Sequence, residues 1–420
     1  MLYEGSIEAF SRDVEEQGGS VYTPRLIKDR LFVFKNETMA TMSNAELEYV
    51  RLDEQSTRYP YSSALRRSLA HLEAVATICV DGAKPNLETM LSIEALELAR
   101  AYGHETSIAH KGFSSEKERL AAYAAIRYSN VLQSIERGKG FSHFDSAELI
   151  KLHKALMYEP DEQADVHYRR NPYRVRINPD GLVKNVYLPP KPDDIPLLVN
   201  DLMDFCNTDK LSPITQAAIA HFHLEAIRPF KTGMDRTGRA FVHAILRKRK
   251  FYRHIIPPIA LVPAMNVPNH ASLLFPYRMN RPFTEKAAAL AIDRWVMHCA
   301  QCVALSVAMV RAFMGQISAV ENKWESQIPG KRSGSALDIL LRELPGMPIV
   351  TVASAMALTG KGFSASNEAI HQLVEFKVLE PMSDDQRNRC FVAQDAMNVL
   401  CAIVQETIPT ELSSRESFFE

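Results

Sequence analysis

The chain holds little of what would tie it to a disulfide scaffold, a nucleic-acid field or a membrane. Six cysteines in 420 residues are too few and too scattered for a disulfide framework. Cys79, Cys206, Cys390 and Cys401 fall on apolar faces, while Cys299 and Cys302 form a lone C-A-Q-C in a helical run beside His298. A zinc site needs a second ligand pair at suitable spacing, and none follows. The pair therefore reads as buried helix thiols in a reducing compartment. Neither charge sign is in excess: 49 Lys and Arg against 50 Asp and Glu leave a formal net charge of −1. Binding to nucleic acid would need a local patch. No unbroken apolar run approaches the ~20 residues that span a bilayer, and CVALSVAMV from Cys302 stops at Arg311. The opening MLYEGSIEAFSRDVEEQGG is acidic and lacks the basic-then-apolar pattern of a signal peptide. These absences predict a cytoplasmic protein without membrane contact.

What is present is helical periodicity. The length suits two or three domains, and 46% hydrophobic residues are enough for each to bury a core. Residues 62–80, 87–103, 115–138 and 145–160 carry apolar positions at helical spacing. Ser115 ahead of Glu116 and Glu118 marks one start, and Pro160 closes the last of the four. Residues 173–190 instead alternate around Asn178-Pro179-Asp180-Gly181, which is hairpin chemistry. Helices are then expected from 193–207, from Ser212-Pro213 through ITQAAIAHFHLEAI, from about Arg236 through FVHAILRKR, and over roughly 284–325. PGKRSGS reads as a linker. Beyond it the pattern helix–helix–helix–wing, with a turn at DDQRNR, describes a small winged-helix unit.

Chemistry concentrates in AIRPFKTGMDRTGRA, Ala226 to Ala240, with Arg228, Lys231, Arg236, Arg239, two glycines and Asp235. A glycine-bearing loop that opens a helix can cradle a phosphate. Read in order, Arg228-Pro229-Phe230-Lys231-Thr232-Gly233-Met234-Asp235-Arg236-Thr237-Gly238-Arg239 resembles the signature of the Fic family, whose members typically transfer AMP from ATP to a protein hydroxyl. The resemblance runs over roughly residues 40–400. It takes in AHFHLEAI, the 173–190 hairpin where the family has a target-pinning flap, YLPPKPDDIPLLVNDLMDF and LVEFKVLEP. It implies a mainly α fold: a Fic-type helical core with a short β-hairpin flap, then a winged helix. The divisions expected are 1–105, 106–325 and 330–420. The resemblance makes Gly233, Asp235, Arg236, Gly238 and Arg239 the candidate nucleotide-binding residues.

The departures from that signature matter chemically. Arg228 stands where the family has its histidine base, and a guanidinium stays protonated and offers no acceptor lone pair. Thr232 replaces the acid that holds Mg²⁺, for which a neutral hydroxyl is a poor substitute. Met234 replaces an asparagine amide. Asp235 replaces a glycine of the anion nest, where a carboxylate would cap the helix. It would also repel phosphate by ~4 kcal/mol at 4 Å and an effective dielectric of 20. No catalytic residue and no metal ligand is therefore expected, and ATP with Mg²⁺ is disfavoured. Upstream, Thr77-Ile78-Cys79-Val80-Asp81-Gly82 resembles the family's inhibitory motif with Asp for Glu. Two readings stand: a weakened clamp on Arg239, or a helix end capped by Gly82. Elsewhere, His221 and His223 point apart, His221 and Glu225 share a helix face, and His243 has no assignable place.

Three functions follow from these residues. The first is a Fic-like binding or regulatory protein that takes a protein or peptide along the 173–190 flap. The second is a transferase with a rearranged loop and a base such as His221 or His223. The third is a DNA-binding regulator. For the last, Asn367, His371 and Gln372 could read bases, but Glu368 and Glu375 share their helix, and Lys361, Lys377, Arg387 and Arg389 lie among Asp384 and Asp385. Protein contact or homodimer formation suits the same surface.

Overall fold

Side-chain caps start three of the first five helices among the described residues. A computed structural model describes residues 20–21, 26–27, 32–59, 62–103, 115–138, 141–158, 166–172, 175–177, 185–278, 285–328, 330–382 and 389–408. Within it, α1 spans Asn36–Ser56, α2 Ser62–Val80, α3 Leu87–Ala101, α4 Glu116–Glu136 and α5 Ser146–Met157. Asn86, Ser115 and Asp145 accept the backbone N–H groups of Thr89, Glu118 and Glu148 at the starts of α3, α4 and α5. Pro160 lies outside the described residues.

The hairpin forms at the expected place. β2 (Val175–Ile177) and β3 (Asn185–Leu188) pair antiparallel, with Val175 opposite Tyr187. Its turn, Asn178–Gly181, lies outside the described residues. β1 (Ser20–Val21), which the sequence did not signal, runs parallel along the other edge of β3. Tyr187 is buried and donates through its hydroxyl to the carbonyl of Ala226, tying the hairpin to the helix that precedes the motif.

The remaining core helices are α6 (Ile195–Cys206), α7 (Pro213–Ile227), α8 (Met234–Lys248), α9 (Leu261–Met265), α10 (Val267–Arg278) and α11 (Glu285–Gln327). Ser212 caps α7 by accepting from Thr215 N–H, with Pro213 in the first turn. From Ile214 to Ile227, α7 is buried on every face, as a helix apolar all round must be. The 43-residue α11 packs along α1 and against α7, and Trp295 donates to the Ala218 carbonyl at 2.8 Å. Its stretch Ala289–Gln327 is long and apolar enough to cross a membrane by length and composition. Averaged over a window, Arg311 and the other charges do not interrupt it, unlike in the run-by-run reading. Trp295, Val296, Val303, Val307 and Phe313 are buried in the protein.

The last segment has its own core. α12 (Ala336–Glu343), β4 (Ile349–Thr351), α13 (Val352–Thr359), α14 (Phe363–Glu375), β5 (Glu380–Pro381), β6 (Cys390–Val392) and α15 (Gln394–Thr407) follow in order. The sheet order is β4-β6-β5. Leu340, Ile370, Leu373 and Phe391 are buried together with Trp324 of α11, whose indole donates to Asp395 at 3.0 Å. β4 and α15 were not expected. Thr351 ends β4 and caps α13 in a box with Ser354, so strand and helix abut without a break in apolar character. Residues 383–388, most of the expected turn, lie outside the described residues.

Candidate functional site

The motif loop bridges α7 and α8. Its N-terminal side is Arg228, in the left-handed region at φ 46° and only 4% exposed. Arg169 holds it there: the Arg169 amide donates to the Pro229 carbonyl at 2.8 Å, and its Nε donates to the Arg228 carbonyl at 2.9 Å. Nothing in the pattern of residues singled out Arg169. The Arg228 guanidinium reaches Glu225 Oε2 at 3.0 Å and Asp235 Oδ2 at 3.4 Å. Two departures from the family signature thus meet: the permanent cation at the base position sits beside the carboxylate at the anion-nest position.

That contact corrects the expected role of Asp235. Gly233, in the left-handed region at φ 66°, is the N-cap of α8, and no side chain caps this helix by hydrogen bonding. The helix consequently starts at Met234, two residues before the expected position. Asp235 stands in its first turn, where the dipole favours a negative charge, and spends its carboxylate on Arg228.

The two glycines serve packing. A Cβ on Gly233 would fall onto the Met157 side chain, and one on Gly238 would meet His221 Cδ2 at 2.8 Å and Glu225 Oε1 at 3.0 Å. Met234 is fully buried, and Thr232 is exposed. The apolar replacement has joined the core, and the neutral hydroxyl at the metal-acid position faces solvent.

Asp81, at the end of α2, reaches both arginines of α8. Its carboxylate pairs with Arg239 Nη2 and, through Oδ2, with Arg236 Nε at 3.2 Å. The shorter side chain was expected to need a closer backbone or a water. The pair forms directly, and Arg239 Nη2 also donates to the Thr77 carbonyl at 3.3 Å, one turn earlier. The helix-end reading holds as well: Gly82 is at φ 85°, and the Ala83 amide returns to the Ile78 carbonyl. Burial works against charge on Arg239, but Asp81, then Asp235, more than offset it and leave its pKa raised. The two arginines of the candidate anion site thus share the Asp81 carboxylate, with Asp235 adding to it at Arg239.

The histidines are structural neighbours of this network. His221 lies 4.0 Å from Glu225 Oε1, the shared face that the sequence indicated, and both His221 and His223 are buried. His243 Nε2 lies 2.8 Å from Glu73 Oε1, deep between α2 and α8. His153 was missed. It stacks on Phe230 at 3.8 Å and 3°, its Nδ1 lies 2.8 Å from Thr237 Oγ1, and burial, then Arg236, pushes its pKa down to about 4. Its only signal in the sequence was its place on the apolar face of LIKLHKALM. Among the described residues, no group of three or more His, Cys, Asp or Glu is arranged to hold a metal ion.

Comparison with known proteins reaches the same region. A profile of the Fic/DOC family matches residues 143–246. The chain is 29% identical over 152 residues to "Protein adenylyltransferase Fic" of Drosophila erecta, covering 35% of this chain and 28% of that protein. It is 25% identical over 231 residues to the protein of the same name in Drosophila persimilis, covering 53% and 41%. The chain thus spans less than half the length of these curated relatives. In fold it is similar to a Fic family protein from Desulfovibrio desulfuricans G20, with a TM-score of 0.50 at 15% identity over 87% of this chain and 98% of that one.

Proposed function

From the premise that the chain belongs to the Fic/DOC family, we propose that its motif loop does not transfer AMP and that it is a cytoplasmic binding or regulatory protein. The observation that carries this reading is the buried Arg228, paired with Glu225 and Asp235 at the position of the family's base. A general base must titrate near working pH and offer a lone pair, and a guanidinium does neither. ATP and Mg²⁺ do not fit the residues present. Thr232 brings no carboxylate to the metal, Asp235 places negative charge in the anion seat, and Arg236 and Arg239 are engaged by Asp81. No catalytic step is therefore derived through them. The rearranged-transferase reading loses support because its candidate bases, His221 and His223, are 5% and 1% exposed.

The ligand in this reading is a protein segment adding as a strand to the hairpin. Among the described residues β1 lies along one edge of β3 and β2 along the other, and the incoming chain would add along the outer edge of β2. The winged-helix unit over 330–420 serves protein contact, including a second copy of the chain.

Incubation with α-labelled ATP and Mg²⁺ tests the proposal. The natural sequence is expected to remain unlabelled. The variant Arg228→His, Thr232→Asp, Met234→Asn, Asp235→Gly, with Asp81→Gly to open the clamp, is expected to label itself. Label on the natural protein, lost on replacing His221 or His223, would establish the transferase instead.

A further inference from the structure

The last segment, α12 to α15, has a second buried face besides its own core. Ile349 of β4, Val392 of β6 and Leu400 of α15 belong to the same buried cluster as Leu65, Leu69 and Leu72 of α2. β4 and α13 pack on α3, while α12 and α15 pack on α2. These two helices flank Asp81 and Gly82. The segment therefore grips both arms of the corner whose carboxylate meets Arg239 and Arg236.

The tightest contact is at the start of α2. Residues 344–348 join α12 to β4, and Gly346 among them has no room for a side chain. A Cβ there would fall 2.6 Å from the Ala64 carbonyl oxygen and 2.7 Å from the Ala64 Cα. Both are backbone atoms, which cannot swing aside as a side chain would. Next to it, the fully buried Ser68 donates through Oγ to the Pro345 carbonyl at 2.9 Å. Arg67 comes within 3.8 Å of Glu343 Oε2, and Ser63 donates to the same oxygen at 3.3 Å. At the other end of the corner, Glu88 in the first turn of α3 lies near Cys390 and Cys401. Between these holds, α2 is buried at every residue from Ser68 to Val80. Close-packed interiors transmit a displacement rather than absorb it, so a helix enclosed in this way shifts as one body. Asp81 follows it directly, its amide still bonded to the Thr77 carbonyl at 3.1 Å. Asp reaches one methylene less far than Glu, and a hydrogen bond tolerates only tenths of an ångström. The pair with Arg239 therefore depends on where α2 puts the Asp81 backbone.

We propose that the C-terminal segment is the brace of the clamp. Its grip on α2 and α3 sets Asp81 against Arg236 and Arg239, and a protein that engages this segment and lifts it from α2 opens the anion cradle. The inference rests on the reading that Asp81 closes that cradle. Hydrogen exchange on the full natural chain reads the corner directly. The Asp81, Gly82 and Ala83 amides return to Thr77, Cys79 and Ile78. Gly346→Ala should speed their exchange roughly tenfold while the α7 amides keep their protection. Ser68→Ala, which removes the bond to Pro345 without adding bulk, should act in the same direction. Self-labelling with α-labelled ATP gives the second readout. In the chain restored at Arg228, Thr232, Met234 and Asp235 but keeping Asp81, Gly346→Ala should raise labelling roughly tenfold. With Asp81→Gly added, the same change should alter labelling less than about twofold. Plain destabilisation would instead lower labelling in both. A silent restored chain with Asp81→Gly would count against the reading of the motif, and the exchange result would then decide the brace. Unchanged exchange at residues 81–83 in both variants, or an equal effect of Gly346→Ala with and without Asp81, would overturn the inference.

Discussion

At the scale of single residues, Arg228 is held in a conformation it would not choose. A non-glycine residue in the left-handed region costs about 1–3 kcal/mol when the surroundings impose it. Here Arg169 fixes the backbone while Glu225 and Asp235 engage the side chain. Removing one partner of a buried pair costs more than the pair contributes, because the other charge is stranded. We expect Arg228→Met to lose about 3–5 kcal/mol in urea denaturation, with Glu225 left behind at 0% exposure. Asp235→Asn should lose less. The double variant should fall short of additivity by about 1–3 kcal/mol, and strict additivity would mean that the two residues do not act as a unit. Glu321 supplies a pH dependence. Tyr59 donates to it at 2.7 Å, and burial pushes its pKa up to about 7 from 4.5. A raised carboxyl pKa means stability that is whole below the lower value and lost as pH rises through the upper one. The thermal midpoint should therefore fall between about pH 4.5 and pH 7 and level off above that, and Glu321→Gln should flatten the fall.

At the scale of elements, α14 carries the question of nucleic acid. Its exposed surface offers His371 and part of Asn367, but Gln372 is turned onto Glu368 at 2.9 Å, and Glu375 is exposed on the same helix. A helix that contacts phosphates without net positive charge gains little from counterion release. Affinity for random duplex DNA should be undetectable at about 50 mM salt. Tight binding with a steep negative salt slope would instead establish the DNA-regulator reading. The elements also differ in how far the sequence announced them. α3, α4, α5 and α7 were legible because Asn86, Ser115, Asp145 and Ser212 stand directly before helical apolar patterns. β4 was not: a three-residue strand running straight into α13 looks like the first turn of that helix. β1 was not, because a two-residue strand has no period to read.

At the scale of the whole molecule, the motif could be found locally but its state could not. The replacements at Arg228, Thr232, Met234 and Asp235 were visible one by one. That Arg228 and Asp235 answer each other depends on the left-handed turn at Gly233 and on Arg169 reaching in from another segment. The Asp81 clamp joins positions 158 residues apart, and whether a side chain one methylene short can close it is a matter of helix packing. The central claim is that the chain's own charges fill its anion cradle. The most direct measurement is calorimetric titration of a non-hydrolysable ATP analogue with Mg²⁺ onto the natural sequence. No saturable heat is predicted, with saturable binding after Arg228, Thr232, Met234, Asp235 and Asp81 are replaced as above. Saturable binding by the unaltered chain, with the triphosphate ordered at the start of α8, would contradict the account.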